Sequence, residues 1–172
     1  KEALDLLESY QSIYEKTQNS LQRIIYISYY LRALNELNLN KKAENIGIYF
    51  LQKYESEILK LRWHHFFTSY LNVLFKNEKY TTILQLDKKY GFEELENARK
   101  TSNNYVPNIL WLISTAAFLE NKISKEKLYS ILAESFAEVK TTESNLHFIR
   151  KNTILLEKNL PELKGFFKSH FG

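Results

Sequence analysis

Apolar residues recur at the spacing of an α-helix along most of this chain. The clearest case follows the pattern i, i+3, i+4, i+7, i+8, i+11 and comprises Trp63, Phe66, Phe67, Tyr70, Leu71 and Leu74. Such a stripe is typical of the buried face of a helix. The 172 residues include 4 Gly and 2 Pro, too little turn chemistry for the closely spaced turns of sandwiches and barrels. We therefore expect an all-α protein.

The helical pattern divides into ten segments, and residues that suit helix ends support the divisions. Ser20 and Ser124 stand where N-caps are needed, and Gly91 follows a helix end. Pro107 and Pro161 fall in first turns, where a missing N–H costs little. The predicted helices cover about 2–17, 20–37, 40–57, 60–77, 79–90, 92–100, 104–121, 124–139, 143–159 and 161–170.

The composition argues against several classes of function. The sequence has no Cys, which removes disulfides, thiolate metal sites and cysteine nucleophiles. It also lacks a glycine-rich phosphate loop and a G-x-S-x-G motif, so we expect neither an enzyme nor a cofactor. Net charge is +4, carried by scattered lysines rather than by the dense basic patch of a nucleic-acid binder.

Two further features bear on the setting of the chain. The longest apolar runs, RIIYISYYLRAL and NILWLISTAAFL, fall short of the roughly 18–20 residues that span a bilayer, so we expect no membrane segment and a cytoplasmic location. The chain contains no Met and begins with Lys1, so we interpret the sequence as a piece of a longer protein.

The spacing of the histidines argues against a metal site. His64 and His65 are adjacent, so on a helix they point about 100° apart, whereas ligands on a helix are spaced at i, i+3 or i+4. No Asp, Glu or His stands at those spacings, and His147 and His170 are alone. We expect no bound metal.

A second periodicity, of about 40 residues, runs through the helices. Five segments each begin a helix with charged or polar residues and then carry a small or aliphatic side chain. They are KEALDLL, KKAENIG, YTTILQL, KEKLYSI and PELKGFF. The equivalent positions are Ala3, Ala43, Ile83, Leu128 and Leu163. A longer, aromatic-rich helix precedes each of the last four, which predicts antiparallel helix pairs after a leading half pair.

The stretch SYLNVLFKNEKYTTILQLDKKYG resembles a tetratricopeptide (TPR) repeat. With Ile83 at family position 20, Tyr80 matches the tyrosine of position 17, and Leu71, Asp87 and Tyr90 depart from the pattern. The repeats are longer than usual and are similar to those of bacterial peptide-sensing regulators and signalling scaffolds. The resemblance implies a TPR-like α-solenoid, a right-handed superhelix of about four helix pairs in one domain over residues 1–172. HEAT-like and other α-solenoids are the competing labels.

The same resemblance implies a binding groove. Family positions 2, 5, 9 and 13 line the concave face; here they hold His65, Thr68, Asn72 and Lys76, preceded one repeat earlier by Ile25, Ser28, Arg32 and Glu36. A peptide or protein would bind there, with acidic groups meeting Arg32 and Lys76, the main chain meeting Asn72, and adaptable contacts from His65 and Tyr29. Thr68 stands where carboxylate-clamping members have Lys, so we do not expect a chaperone-tail ligand.

Three alternatives remain open from the sequence. Each groove residue could be ordinary solvated surface. The chain could be a structural adaptor or homo-oligomer that uses the apolar 104–121 helix and Phe166, Phe167 and Phe171. It could also be a nucleic-acid-binding repeat, although the basic patches RKTSNN and FIRKN are short. A narrower version of the peptide-binding hypothesis makes the chain the sensor or oligomerisation part of a regulator.

Overall fold

The computed structural model describes residues 2–61, 63–100, 106–139 and 142–171, without the side chains of residues 3, 10, 12–14, 170 and 171. Over these residues the chain is all-α, as the sequence predicts, and no strand occurs among them. The helices are α1 Glu2–Lys16, α2 Ser20–Glu36, α3 Asn40–Leu61, α4 Trp63–Lys76, α5 Tyr80–Tyr90, α6 Phe92–Arg99, α7 Asn108–Leu119, α8 Lys125–Ala137, α9 Glu143–Asn159 and α10 Phe166–Phe171, with a 3₁₀ turn at Pro161–Leu163.

Helix limits differ from the predicted ones in a few places. α3 continues to Leu61 through one non-helical residue, Tyr54 (φ −127°, ψ 22°). The predicted last helix is a 3₁₀ turn and a short helix instead, because Gly165 (φ 91°) turns the backbone between them. Asn19, not Ser20, caps α2 by accepting a 3.1 Å hydrogen bond from the Gln22 N–H. The predicted cap at Ser124 is confirmed.

The chain forms two compact units, Lys1–Lys79 (unit 1) and Tyr80–Gly172 (unit 2). In unit 1, α2 packs against α1, α3 and α4, and α3 also packs against α4. α4 supplies the largest share of this core, because every residue from Phe66 to Phe75 is buried except Asn72. The predicted apolar stripe of α4 is therefore confirmed as core from Phe66 onward, whereas Trp63 is half-buried.

Helices α3 and α4 approach closely at Gly47. A Cβ atom built at this position would lie 2.3 Å from Cδ2 and 2.4 Å from Cε2 of Tyr70. Real side chains essentially never come this close, so the ring of Tyr70 occupies the space that any side chain at position 47 would need.

Arg23 anchors the irregular part of α3 to the rest of unit 1. Its guanidinium donates to Glu57 Oε2 at 2.6 Å and to the Thr17 carbonyl, and it lies 4.6 Å from the ring centroid of Tyr54. Tyr54 is the non-helical residue of α3. One buried cation thus connects the end of α1, the start of α2 and the break in α3.

In unit 2, α7 lies at the centre and packs against α5, α6, α8 and α9. Eight of its twelve residues are buried, Trp111 among them. Asn108 and Asn152 form a buried hydrogen bond of 2.5 Å between α7 and α9. The ring of Phe136 lies 4.6 Å from that of Trp111, centroid to centroid.

The connection between α5 and α6 carries a partly buried acid. Asp87 Oδ1 accepts a 3.2 Å hydrogen bond from the Phe92 N–H, beside Gly91 in the left-handed region (φ 64°). Burial raises the pKa of Asp87 above its ordinary value; the Phe92 N–H opposes the rise and the nearby Glu93 adds to it.

The predicted repeat has a counterpart in local structure. Ala43, Ile83 and Leu128 are each the fourth residue of their helix, and with Leu163 they are all fully or almost fully buried. Ala3 lies outside the described side chains. The superhelix and the number of helix pairs stay predictions.

Three of the helix ends also share one backbone geometry. α2, α4 and α7 are each followed by a residue in the left-handed region, namely Asn38, Glu78 and Asn121 (φ 57°, 57° and 55°). The next N–H then bonds back to the helix, as in a Schellman motif. These bonds are Leu39 N to Leu34 O at 2.9 Å, Lys79 N to Leu74 O at 2.9 Å and Lys122 N to Ala117 O at 2.8 Å.

Candidate functional site

All six predicted groove residues lie on α2 and α4, the two helices that pack side by side in unit 1. We call this surface the α2–α4 face; it comprises Tyr29, Arg32, Glu36, His65, Asn72 and Lys76. On α2, Tyr29, Arg32 and Glu36 follow each other at spacings of three and four, which places them on one side of the helix. Their neighbours Tyr30 and Leu31 point into the core.

The centre of the α2 row is an aromatic–cation pair. The Tyr29 side chain is 56% exposed, and the Cζ atom of Arg32 lies 5.7 Å from the centroid of its ring. This distance is within the range of a cation–π interaction, which orients the guanidinium and restricts both side chains.

The α4 row lies on a helix that is mostly buried. His65 is exposed, and Asn72 and Lys76 are half-buried. Asn72 donates a 2.6 Å hydrogen bond from Nδ2 to the Thr68 carbonyl, which fixes its amide against its own helix. Its Oδ1 accepts no bond among the residues that the structure describes, so this half-buried amide still has an acceptor to offer.

Lys76 connects α4 to the end of α2. Its Nζ donates a 2.9 Å hydrogen bond to the Asn35 carbonyl, in the last turn of α2. A cation at this end of a helix interacts favourably with the helix dipole. Because α4 also ends at Lys76, the bond brings the C-terminal ends of α2 and α4 together, so the two helices run side by side in the same direction. Lys76 thus has a structural partner within unit 1.

Two residues that the family register places in the groove are buried instead. Ser28 bonds through its hydroxyl to the Ile24 carbonyl at 2.8 Å, and Thr68 Oγ1 lies 3.4 Å from His64 Nδ1. Both side chains are short enough to satisfy their hydroxyl groups locally where α2 and α4 pack closely. The accessible face is therefore narrower than the register predicts.

The histidine pair extends from the start of α4. The ring centroids of His64 and His65 are 6.4 Å apart, and the ring planes are nearly perpendicular. Within the described ranges, no group of three His, Asp or Glu side chains lies close enough to hold a metal ion. In the same part of the chain, no helix is both long and apolar enough to cross a membrane.

Unit 2 contains a cleft that the sequence did not predict. Residues of α9 and α10 line a half-open space of about 260 Å³, namely Leu146, Ile149, Arg150, Thr153, Glu157, Phe167 and Lys168. The five α9 residues share the spacing i, i+3, i+4, i+7, i+11, which places them on one helix face. In the sequence, Arg150 and Glu157 stand within this mainly apolar stripe, and these two charged residues were the signal from which the cleft could have been predicted.

The α2–α4 face offers an exposed ring with a guanidinium beside it, a half-buried amide and an exposed imidazole. The chain matches no protein-family model, no curated protein and no solved structure.

Proposed function

We propose that unit 1 binds an extended peptide segment of another protein along the α2–α4 face, without catalysing a reaction. The observation that carries this proposal is the Arg32 guanidinium held over the Tyr29 ring, a large aromatic group that is 56% exposed. Tyr and Arg are enriched among the residues that dominate binding energy at interfaces. An exposed ring with a restricted cation beside it loses little entropy when a partner binds.

The chemistry of the face defines the segment that fits it. Arg32 would pair with a carboxylate, which a guanidinium binds through two parallel hydrogen bonds. Tyr29 would cover an apolar side chain next to that carboxylate. Glu36, one turn further along α2, would repel a second acid and favour a basic or neutral residue there.

The α4 row would hold the backbone of the segment. Asn72 presents its amide oxygen to a peptide N–H, and His65 adds a contact that adapts to the side chain. Packed helices lie about 8–10 Å apart. The two rows are therefore separated by a distance that one extended chain can bridge. Lys76, already bonded to Asn35, would contribute positive charge rather than a direct bond.

The test is selection of ligands from a random peptide display library, followed by calorimetry of the enriched peptides with matched variants. We expect Tyr29→Ala and Arg32→Ala each to weaken binding at least about tenfold. The matched control is Tyr49→Ala on α3, because Tyr49 is 44% exposed and also has a cation, Lys53 Nζ, 5.1 Å from its ring centroid. Tyr49→Ala should leave binding unchanged.

Three results would count against the proposal: no enriched peptide, equal losses for Tyr49→Ala and Tyr29→Ala, or binding that survives both changes on α2. A nucleic-acid binder would instead bind oligonucleotides with an affinity that falls steeply with salt. Within the proposal, the chain is a cytoplasmic scaffold or the sensor part of a larger regulator.

A further inference from the structure

The cleft between α9 and α10 is independent of the α2–α4 face, because all of its lining residues belong to unit 2. Its volume of about 260 Å³ is slightly below the usual range for small-molecule pockets. It therefore suits a small ligand or the end of a larger one.

The floor of the cleft is apolar and held in place by the core. Ile149 and Phe167 are buried, and the Phe167 ring lies 5.1 Å from that of Phe136 and 6.2 Å from that of Trp111. Gly165 (φ 91°) makes the turn that leads into α10, and L side chains rarely adopt this conformation. The floor cannot collapse to fill the cleft without disturbing the aromatic cluster below it.

The charged lining favours a single negative charge. Arg150 and Lys168 are exposed, and Glu157 stands two helix turns from Arg150 on α9. Among the residues that the structure describes, none of these three charged groups has an ion-pair partner. Two cations and one carboxylate leave an excess of one positive charge beside an apolar floor. Thr153 donates its hydroxyl to the Arg150 carbonyl, so it presents mainly its methyl group.

We propose that this cleft binds an apolar carboxylate, with its hydrocarbon part on Ile149 and Phe167 and its carboxylate paired with Arg150 and Lys168. A guanidinium binds a carboxylate bidentately, and an ammonium adds a second charge-assisted contact. The same chemistry is found in a free medium-chain carboxylic acid and in the C-terminal end of an apolar peptide. The small volume of the cleft accommodates either end group.

The test uses the whole chain and three probes of equal length: octanoate, octanol and octylamine. By titration calorimetry we expect octanoate to bind at least about tenfold more tightly than octanol, and octylamine to bind weakest, because the charge contact is the distinguishing one. Arg150→Gln and Lys168→Gln should each weaken octanoate binding about tenfold. The control Lys158→Gln changes an exposed lysine of α9 outside the cleft and should have no effect.

A second variant tests the location without removing charge. Leu146→Trp places a larger side chain in the cleft and should abolish octanoate binding while the circular dichroism spectrum stays that of the parent chain. Equal affinity for octanoate and octanol, full binding by Arg150→Gln together with Lys168→Gln, or no octanoate binding at millimolar concentration would each overturn the proposal.

The source of the carboxylate is distinguished by a peptide ending in Ala-Leu-Leu, with a free or an amidated C-terminus. Tighter binding of the free peptide than of octanoate assigns the cleft to peptide ends, and the reverse order assigns it to free acids. Tyr29→Ala should leave both affinities unchanged, so this result does not depend on the α2–α4 face.

Discussion

The close approach of α3 and α4 makes Gly47→Ala an unusual substitution. In the middle of a helix, Ala is ordinarily more stable than Gly by about 1 kcal/mol. Here the added Cβ would lie 2.3 Å from Cδ2 of Tyr70, more than 1 Å inside ordinary contact distance. The Tyr70 ring is 2% exposed and lies 5.6 Å from the ring of Phe66, so it has no open space into which to move.

The expected magnitude follows from these two opposing effects. Overpacking a buried site costs about 1–3 kcal/mol. The short distance at Gly47 puts the cost near the upper end, about 3 kcal/mol. The helix propensity of Ala returns about 1 kcal/mol. The free energy of unfolding of unit 1 should therefore fall by about 2 kcal/mol.

Urea unfolding, followed by circular dichroism, measures this loss as a lower midpoint with an unchanged slope. The decisive comparison is the same substitution in a Tyr70→Leu background, where the ring is absent. There Gly47→Ala should be neutral or stabilising by up to about 1 kcal/mol. If Gly47→Ala stabilises the parent chain, or costs the same in both backgrounds, the steric explanation is wrong.

Three further substitutions test other features of the two units. Glu78→Gly should raise the free energy of unfolding by about 0.5–1 kcal/mol in urea titrations, because Glu78 occupies the left-handed region at a steric cost that Gly avoids. The matched change Asn38→Gly should gain less, since Asn tolerates this conformation, and equal gains would contradict the reasoning. Arg23→Met should lower the free energy of unfolding by about 2 kcal/mol, because it leaves the partly buried Glu57 without its 2.6 Å partner. Adding Glu57→Gln should recover part of this loss. If it recovers none, the ion pair does not stabilise the fold. Burial raises the folded-state pKa of Asp87, so ionisation of this carboxyl lowers the stability of the fold. The loss of stability begins above the ordinary Asp pKa of about 3.9 and is complete above the raised pKa. Asp87→Asn should therefore gain stability relative to the parent chain as pH rises through that window, and a difference in urea midpoint that does not change with pH would refute the shift.

The helices could be predicted from the sequence because their apolar spacing and caps are local features. Ala43, Ile83 and Leu128 could even be aligned as equivalent positions from the sequence, and all three are buried. The break at Tyr54 was missed; its ring contacts Arg23, which lies thirty-one positions earlier in the chain, and helical spacing does not reveal such a contact. The division into two units is likewise a matter of tertiary contacts.

The candidate sites were predictable to different degrees. Arg32 and Asn72, which the repeat register assigns to one groove, lie on α2 and α4, and these two helices pack against each other. The register also placed Ser28 and Thr68 on the accessible groove, whereas both residues are buried. Their burial depends on how closely α2 and α4 approach, which the sequence pattern does not contain. The α9–α10 cleft depends on the turn at Gly165, which returns Phe167 to the core, and no helical pattern contains that information.

Two of the left-handed helix ends, at Asn38 and Glu78, have backbone geometry so similar that they suggest positions for duplicating a segment. After Asn38 and after Glu78 the backbone leaves its helix with the same φ of 57° and the same 2.9 Å closing bond. A duplicate of residues 39–78, spliced in after Glu78, would therefore begin from the same local backbone geometry as the native segment. The same backbone connector thus stands before and at the end of this segment.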